Sequence, residues 1–329
     1  MPLKDVIVDI SVSSPAPRVG LGRVLILTEA VGTPTYKEYA SLDALAVDFA
    51  SGTPTYAKAS TVFSQNNRPD VVAVATYETG APEAALDGFY NRGWHFVLLA
   101  NDLAADQLEV ATLVAAKDFK FFAALVDDNT GREALKNKKR TIVFDHNVAG
   151  EHLDAAAVGS LGSLPVGSIT WKFKGNFVGI TPRYLTESEL AEVELDNALA
   201  YVMKAGKGQL TDGIDASGEF IDALHGKDFV KVDMENEIQY ALQNADKVPY
   251  DARGIGLIDG AATTTLQRAY NQGIVAQTAD KMPDYTITTL PREQVDPGDR
   301  AARVYAGLSF EFALAGAIHE VRVKGQIRI

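Results

Sequence analysis

The sequence predicts a mixed α/β and α+β protein: an N-terminal α/β domain with a mostly parallel sheet, then an α+β domain with an αα-hairpin and terminal β-strands. Three observations predict it. Between Val24 and Phe144, short apolar runs alternate with amphipathic segments, the pattern of βαβ units whose sheet is covered on both faces. Between Asp212 and Ala276, two long stripes at three/four spacing flank a Pro-containing break. Beyond Val304 the apolar spacing becomes two, the period of a strand.

The elements follow in order. Val6, Val8 and Ile10 alternate with polar residues as a half-buried strand, which Ser13-Ser14-Pro15-Ala16-Pro17 cuts from the body. Residues 1–19 therefore read as an N-terminal arm or as an edge strand of the first sheet. Val24-Leu25-Ile26-Leu27 is a buried strand, and residues 41–50 and 56–65 carry helical spacing. Strands are expected at 71–75, 94–99, 119–126 and 141–144, with helices at 82–90, 104–116 and 132–137. The α/β domain spans 20–165.

The second domain spans 166–315. Residues 169–173 and 177–180 read as short strands and 198–203 as another. Thr186-Glu187-Ser188-Glu189 offers a capping box to a helix over 186–194. In the hairpin, Ser217 is the expected N-cap, with Phe220, Ile221 and Leu224 starting a stripe interrupted near Gly226. Met234, Ile238, Ala241, Leu242 and Ala245 continue the stripe as far as Pro249. Ile255, Ile258, Ala262, Leu266 and Ala269 form the second stripe, closed by Gly273. A strand at 285–289 and a polar loop over 291–300 come next. Val304 to Phe312 alternates, and so does the final segment 316–329, where Val321, Val323, Ile327 and Ile329 share one face. A strand with free edges either closes its own domain as a hairpin or adds to an open sheet edge elsewhere.

The totals exclude several classes. A chain of 329 residues exceeds the usual single-domain size, and 47% hydrophobic with 22% charged residues supports a real core. A net charge of −12 argues against nucleic acid or an anionic membrane as partner. The absence of cysteine removes disulfides and thiolate metal sites. Met1 to Asp9 lacks the basic start and apolar core of a signal peptide, and no apolar run reaches membrane-spanning length, so a cytosolic place of synthesis is expected.

No catalytic constellation emerges. Gly20-Leu21-Gly22 precedes its strand, whereas a dinucleotide loop must follow one. Gly206-Lys207-Gly208-Gln209 lacks the hydroxyl that would hold magnesium, and Gly159-Ser160-Leu161-Gly162 does not follow a strand. His146 and His152, beside Asp145 and Glu151, are spaced too widely for a metal pair on one element. Asp212 and Asp215 lack the spacing of a calcium loop. Asp127-Asp128-Asn129 lies where a parallel strand meets the next helix, the end where ligands bind. An enzyme or ligand-binding protein with a site near Asp127 is thus the alternative, although a capping role explains those residues too. Trp94 and Trp171 are expected as core or interface anchors. The reading is therefore no enzyme, with no cofactor and no metal.

Several pieces of wording resemble the contractile-tail sheath proteins of bacteriophages and phage-tail-like particles. They are Ser217-Gly218-Glu219-Phe220-Ile221-Asp222, Gly226-Lys227-Asp228-Phe229, Lys247-Val248-Pro249-Tyr250 and Gly254-Ile255. Thr170-Trp171-Lys172-Phe173-Lys174, leading to Gly179-Ile180-Thr181-Pro182, and the alternating chain end fit the same resemblance, which is best between Ser168 and Ile274. It implies a mechanical protein whose six-subunit rings stack as a helix around an inner tail tube and contract to drive the tube into a target. The implied partners are the chain itself as a helical homopolymer, the tube protein, and baseplate and tail terminator proteins, in a particle assembled in the bacterial host cytoplasm. It also implies that Val6, Val8 and Ile10, with Val321, Val323, Ile327 and Ile329, lie in exchanged intersubunit arms. The acidic residues Asp222, Asp228 and Glu235 of the hairpin are the expected tube-facing groups.

Overall fold

The computed structural model describes residues 21–324, so Val6, Val8, Ile10, Ile327 and Ile329 lie outside the described residues. The first strands are β1 (Val24–Glu29) and β2 (Tyr36–Tyr39), followed by α1 (Leu42–Ala46) and α2 (Pro54–Phe63). Strands and helices then alternate: β3 (Val72–Tyr77), α3 (Pro82–Gly88), β4 (Phe96–Leu99), α4 (Ala104–Lys117), β5 (Phe121–Val126), α5 (Asn129–Leu135), β6 (Thr141–Asp145) and α6 (Leu153–Leu161). After a long connection come α7 (Glu187–Leu195), β7 (Leu199–Lys204) and β8 (Lys207–Leu210). The hairpin is α8 (Ile221–Asn244) and α9 (Ala252–Asn271), and β9 (Tyr285–Thr289), α10 (Pro297–Ala302) and β10 (Leu308–Phe312) complete the described chain.

One eight-stranded sheet, in the order β2-β3-β1-β4-β5-β6-β7-β8, forms the centre. Strands β3, β1, β4, β5, β6 and β7 are mutually parallel, while β2 and β8 close the two edges antiparallel. The sheet is thus not confined to 20–165, since β7 pairs with β6 across Phe144–Leu199. Alternate residues point to opposite faces. Val24, Ile26, Phe96, Leu98 and Phe144 pack under α2, α6 and Trp171, and Leu25, Leu27, Val97, Leu99 and Val143 pack under α3 and α4. Both tryptophans are core residues. A third apolar cluster holds α8 against α9 and against one face of the separate β9–β10 ribbon.

Local chemistry sets many of the boundaries. Thr53 caps α2 ahead of Pro54, Asp251 caps α9, and Thr186 with Glu189 forms the expected capping box of α7. Four expectations need correction. Residues 169–173 and 177–180 form no strands, because Phe173, Asn176 and Gly179 take positive φ values that break an extended chain. Ser217 does not cap α8: its amide and hydroxyl both bind Asp215, and Phe220 stands at the N-cap. Part of the 291–300 loop begins a short helix at Pro297, capped by Asp296. The fourth is Gly226, which does not interrupt α8.

Gly226 instead admits Ile274, whose Cγ2 would lie 2.9 Å from a Cβ at that position. Gly226→Val should overpack this contact and cost about 1–3 kcal/mol. Gly256 and Gly260 on α9 have nothing within 4 Å of such a Cβ. Alanine at either should stabilise the helix by about 1 kcal/mol, and urea-denaturation midpoints distinguish the two behaviours.

Candidate functional site

In a parallel sheet the place to look for a ligand is the carboxyl edge where strand order reverses, here beside β1 and β4. That place is filled by side chains of the protein itself. Lys58 of α2 is fully buried and its ammonium donates to Asp154 of α6 and to Asp102 after β4, the latter at 3.1 Å. Thr55 donates to Thr28 at 2.9 Å beside it. Burial, working against Lys58, pushes the Asp102 carboxyl up to about 7. Asp127 and Asp128 are exposed, and Asp128 accepts the Gly131 amide at 2.8 Å as the N-cap of α5. The capping role expected there is the one observed.

The neighbouring charges are likewise engaged. Asp145 at the end of β6 binds both Arg132 and Arg183, while Asp196 takes Arg132 at 3.2 Å and Lys136 at 3.0 Å. These pairs tie α5, β6 and the residues flanking α7 together. His146 Nε2 lies 2.8 Å from Glu151, whose carboxylate also accepts the amide and hydroxyl of Thr181. Among the described residues, no group of three or more His, Asp or Glu is arranged to hold a metal.

A second buried cluster joins the sheet to the hairpin. Arg140, fully buried before β6, is bidentate to Asp228 of α8 at 2.7 and 3.0 Å, and its Nε reaches Asp118 at 2.8 Å. Lys227 also meets Asp118, at 3.1 Å. His95, at the entry to β4, stacks on His225 of α8 with ring centroids 5.1 Å apart. Its Nε2 lies 3.1 Å from Asp228 but out of hydrogen-bond alignment. His225 Nε2 lies 2.7 Å from the Leu21 carbonyl, which only accepts, so that nitrogen carries a proton. Burial is the main cause that holds His225 down at about 3 and His95 well below the ordinary imidazole range, with nearby cations adding to it.

This geometry corrects one expected surface residue. Asp228 is only 2% exposed and faces Arg140 inside the protein, so it is not available to a tube. Asp222 and Glu235 are half-buried on α8. Val321 and Val323 are exposed, and residues 316–324 belong to no strand among the described residues. The sequence reading missed Lys58, Arg140, Asp145 and His225 as partners. The available signal was a charge or imidazole set among apolar residues, as with Arg140 ahead of Thr141-Ile142-Val143-Phe144.

This arrangement, an eight-stranded, mostly parallel sheet joined to an αα-hairpin and a two-stranded ribbon, has counterparts among solved structures of contractile particles. The chain is similar to the PVC sheath complex of an extracellular contractile injection system in its contracted state. The TM-score is 0.71 at 11% identity, over 99% of this chain and 98% of that one. It is also similar to a chain of the anti-feeding prophage baseplate (TM-score 0.69, 15% identity, all of both chains). The helical sheath of the same prophage in its contracted state matches with a TM-score of 0.67 at 15% identity, over 99% of both chains. At these identities the likeness establishes the fold. No protein-family model matches the chain, and no curated protein matches it in sequence. No helix of the described residues is long and apolar enough to cross a membrane.

Proposed function

We propose that this chain is the structural subunit of a contractile sheath, working by assembly and repacking rather than by catalysis. The observation that carries the proposal is likeness along the whole length to sheath chains, with neither protein much longer than the other. Charge pairs that fill the carboxyl edge of the sheet support it against the enzyme alternative. In this reading, rings of six subunits stack around an inner tube and meet a baseplate and a terminator. No cofactor is needed, since the work is stored in two packings of one subunit. The particle is assembled in the host cytoplasm.

Two terminal arms link neighbouring subunits in this reading. Val6, Val8 and Ile10 belong to one, and Val321, Val323, Ile327 and Ile329 to the other. Asp222 and Glu235 remain the tube-facing acids. The exposed Ile318, Val321 and Val323 support the C-terminal arm, because three large apolar side chains in solvent call for cover. Deleting residues 316–329 should leave the melting temperature of the subunit within a few degrees of the parent while abolishing polymer. Sedimentation velocity reads this, and polymer of unchanged length from the deleted chain would remove the C-terminal arm from the account.

A further inference from the structure

The C-terminal segment touches the body in an unusual way. Its last backbone tie among the described residues is Ala315 N to the Ile274 carbonyl at 2.9 Å. From Ala313 to Lys324 every residue is exposed except His319, whose side chain is 12% exposed. Between these two fixed points the chain passes Gly316, at φ +42, and bridges a cavity of about 320 Å³. The body side of that cavity includes Thr170, Phe220, Asp222 and Ile274.

His319 meets four partners on the body. Nδ1 lies 3.3 Å from Asp212 Oδ1, and Nε2 lies 2.8 Å from Thr170 Oγ1. The imidazole edge meets the ring of Phe220 at 5.1 Å and that of Phe173 at 6.2 Å, both near perpendicular. The Thr170 hydroxyl and Nε2 share a hydrogen bond, and the Asp212 carboxylate stands beside Nδ1 without hydrogen-bond alignment. Lys172 Nζ, 3.5 Å from the other Asp212 oxygen, holds the carboxylate in place. The seat therefore combines one hydrogen bond and one close carboxylate with two aromatic walls, and one residue of the segment fills it.

We propose that His319 is a single-residue clasp that fixes the C-terminal segment across the open cavity and presets the direction in which residues 320–324 leave the body. One attachment over a void holds direction at a small cost in release, because few contacts must break. A preset segment also loses less freedom when it docks onto anything else. The inference rests on the subunit alone, and on the sheath reading only for what the segment then meets.

Backbone 15N relaxation on the full chain, at a concentration where sedimentation shows one monomeric species, is the test, since the amides beyond Ala315 have no backbone partner among the described residues for hydrogen exchange to report on. His319→Ala should drop the order parameters of residues 317–322 from the rigid range to below about 0.6, with α8 and the central sheet unchanged. His319→Phe, which keeps the aromatic contacts and drops both polar ones, should give a smaller drop. Equal order parameters in His319→Ala and the parent would overturn the clasp. So would a matching drop throughout the sheet, since His319 would then support the fold as a whole. Because the monomer is observed, either result leaves polymer formation as a separate question.

Discussion

Asp228→Ala should destabilise the subunit by about 3–5 kcal/mol when urea unfolding is followed at pH 8. The reason is asymmetry. In the parent, the fully buried Arg140 guanidinium is held bidentate by Asp228, with only Asp118 as a second anion. Removing the carboxylate strands a charge in an apolar setting between Phe121 and α8. Arg140→Met alone should be comparably costly, because it strands Asp228 instead. The double variant Arg140→Met/Asp228→Leu should cost much less than the sum, since a buried pair exchanged for apolar groups approaches neutrality. If the two single costs simply add, the pair is not the tie between sheet and hairpin described above.

Acidification should act on the same joint in two opposing directions. His225 and His95 have folded values below the unfolded value of about 6.5, so their neutral rings contribute stability above that pH and lose it as pH falls. Each histidine alone gives a loss of about 1.4 kcal/mol per pH unit in that window. Burial moves the Asp228 carboxyl the opposite way, up to about 7 despite Arg140, so its protonation offsets one histidine below that pH. Asp102, raised to about 7 by burial, has the same sign as Asp228, so the two carboxyls together offset the two histidines and the parent should be nearly level from about pH 6.5 down to about pH 4. His225→Asn, which retains a donor for Leu21, removes one histidine from this balance and should therefore gain about 1.4 kcal/mol per pH unit relative to the parent as pH falls through that range. A pH dependence identical in the variant and the parent would contradict the burial of an uncharged His225 ring at the joint.

The parts of the fold legible in the sequence are those with strong periodicity and local capping. The apolar runs of β1, β3, β4, β5 and β6 lie buried on both faces, and α7 starts at the capping box the sequence displays. β2 and β8 were not anticipated. Tyr36-Lys37-Glu38-Tyr39 and Lys207-Gly208-Gln209-Leu210 are short, polar edge strands with little apolar signal, and pairing with a central strand alone makes them strands. Positive-φ residues without glycine, such as Phe173, hid the loop over 169–180 behind strand-like composition. The candidate site was less legible than the fold. Asp228 carries a charge in a helical stripe, which reads as surface, and only the distant Arg140 turns it inward. Long-range charge pairs leave no local pattern. His319 is the same case, since Asp212 and Thr170 lie over a hundred residues before it.

The central claim, a subunit that polymerises into a sheath, is tested most directly by electron microscopy of the purified full-length chain at rising concentration, alone and with its inner tube protein. The account predicts hollow tubes built from stacked six-membered rings. Compact particles under both conditions, at every concentration, would contradict it.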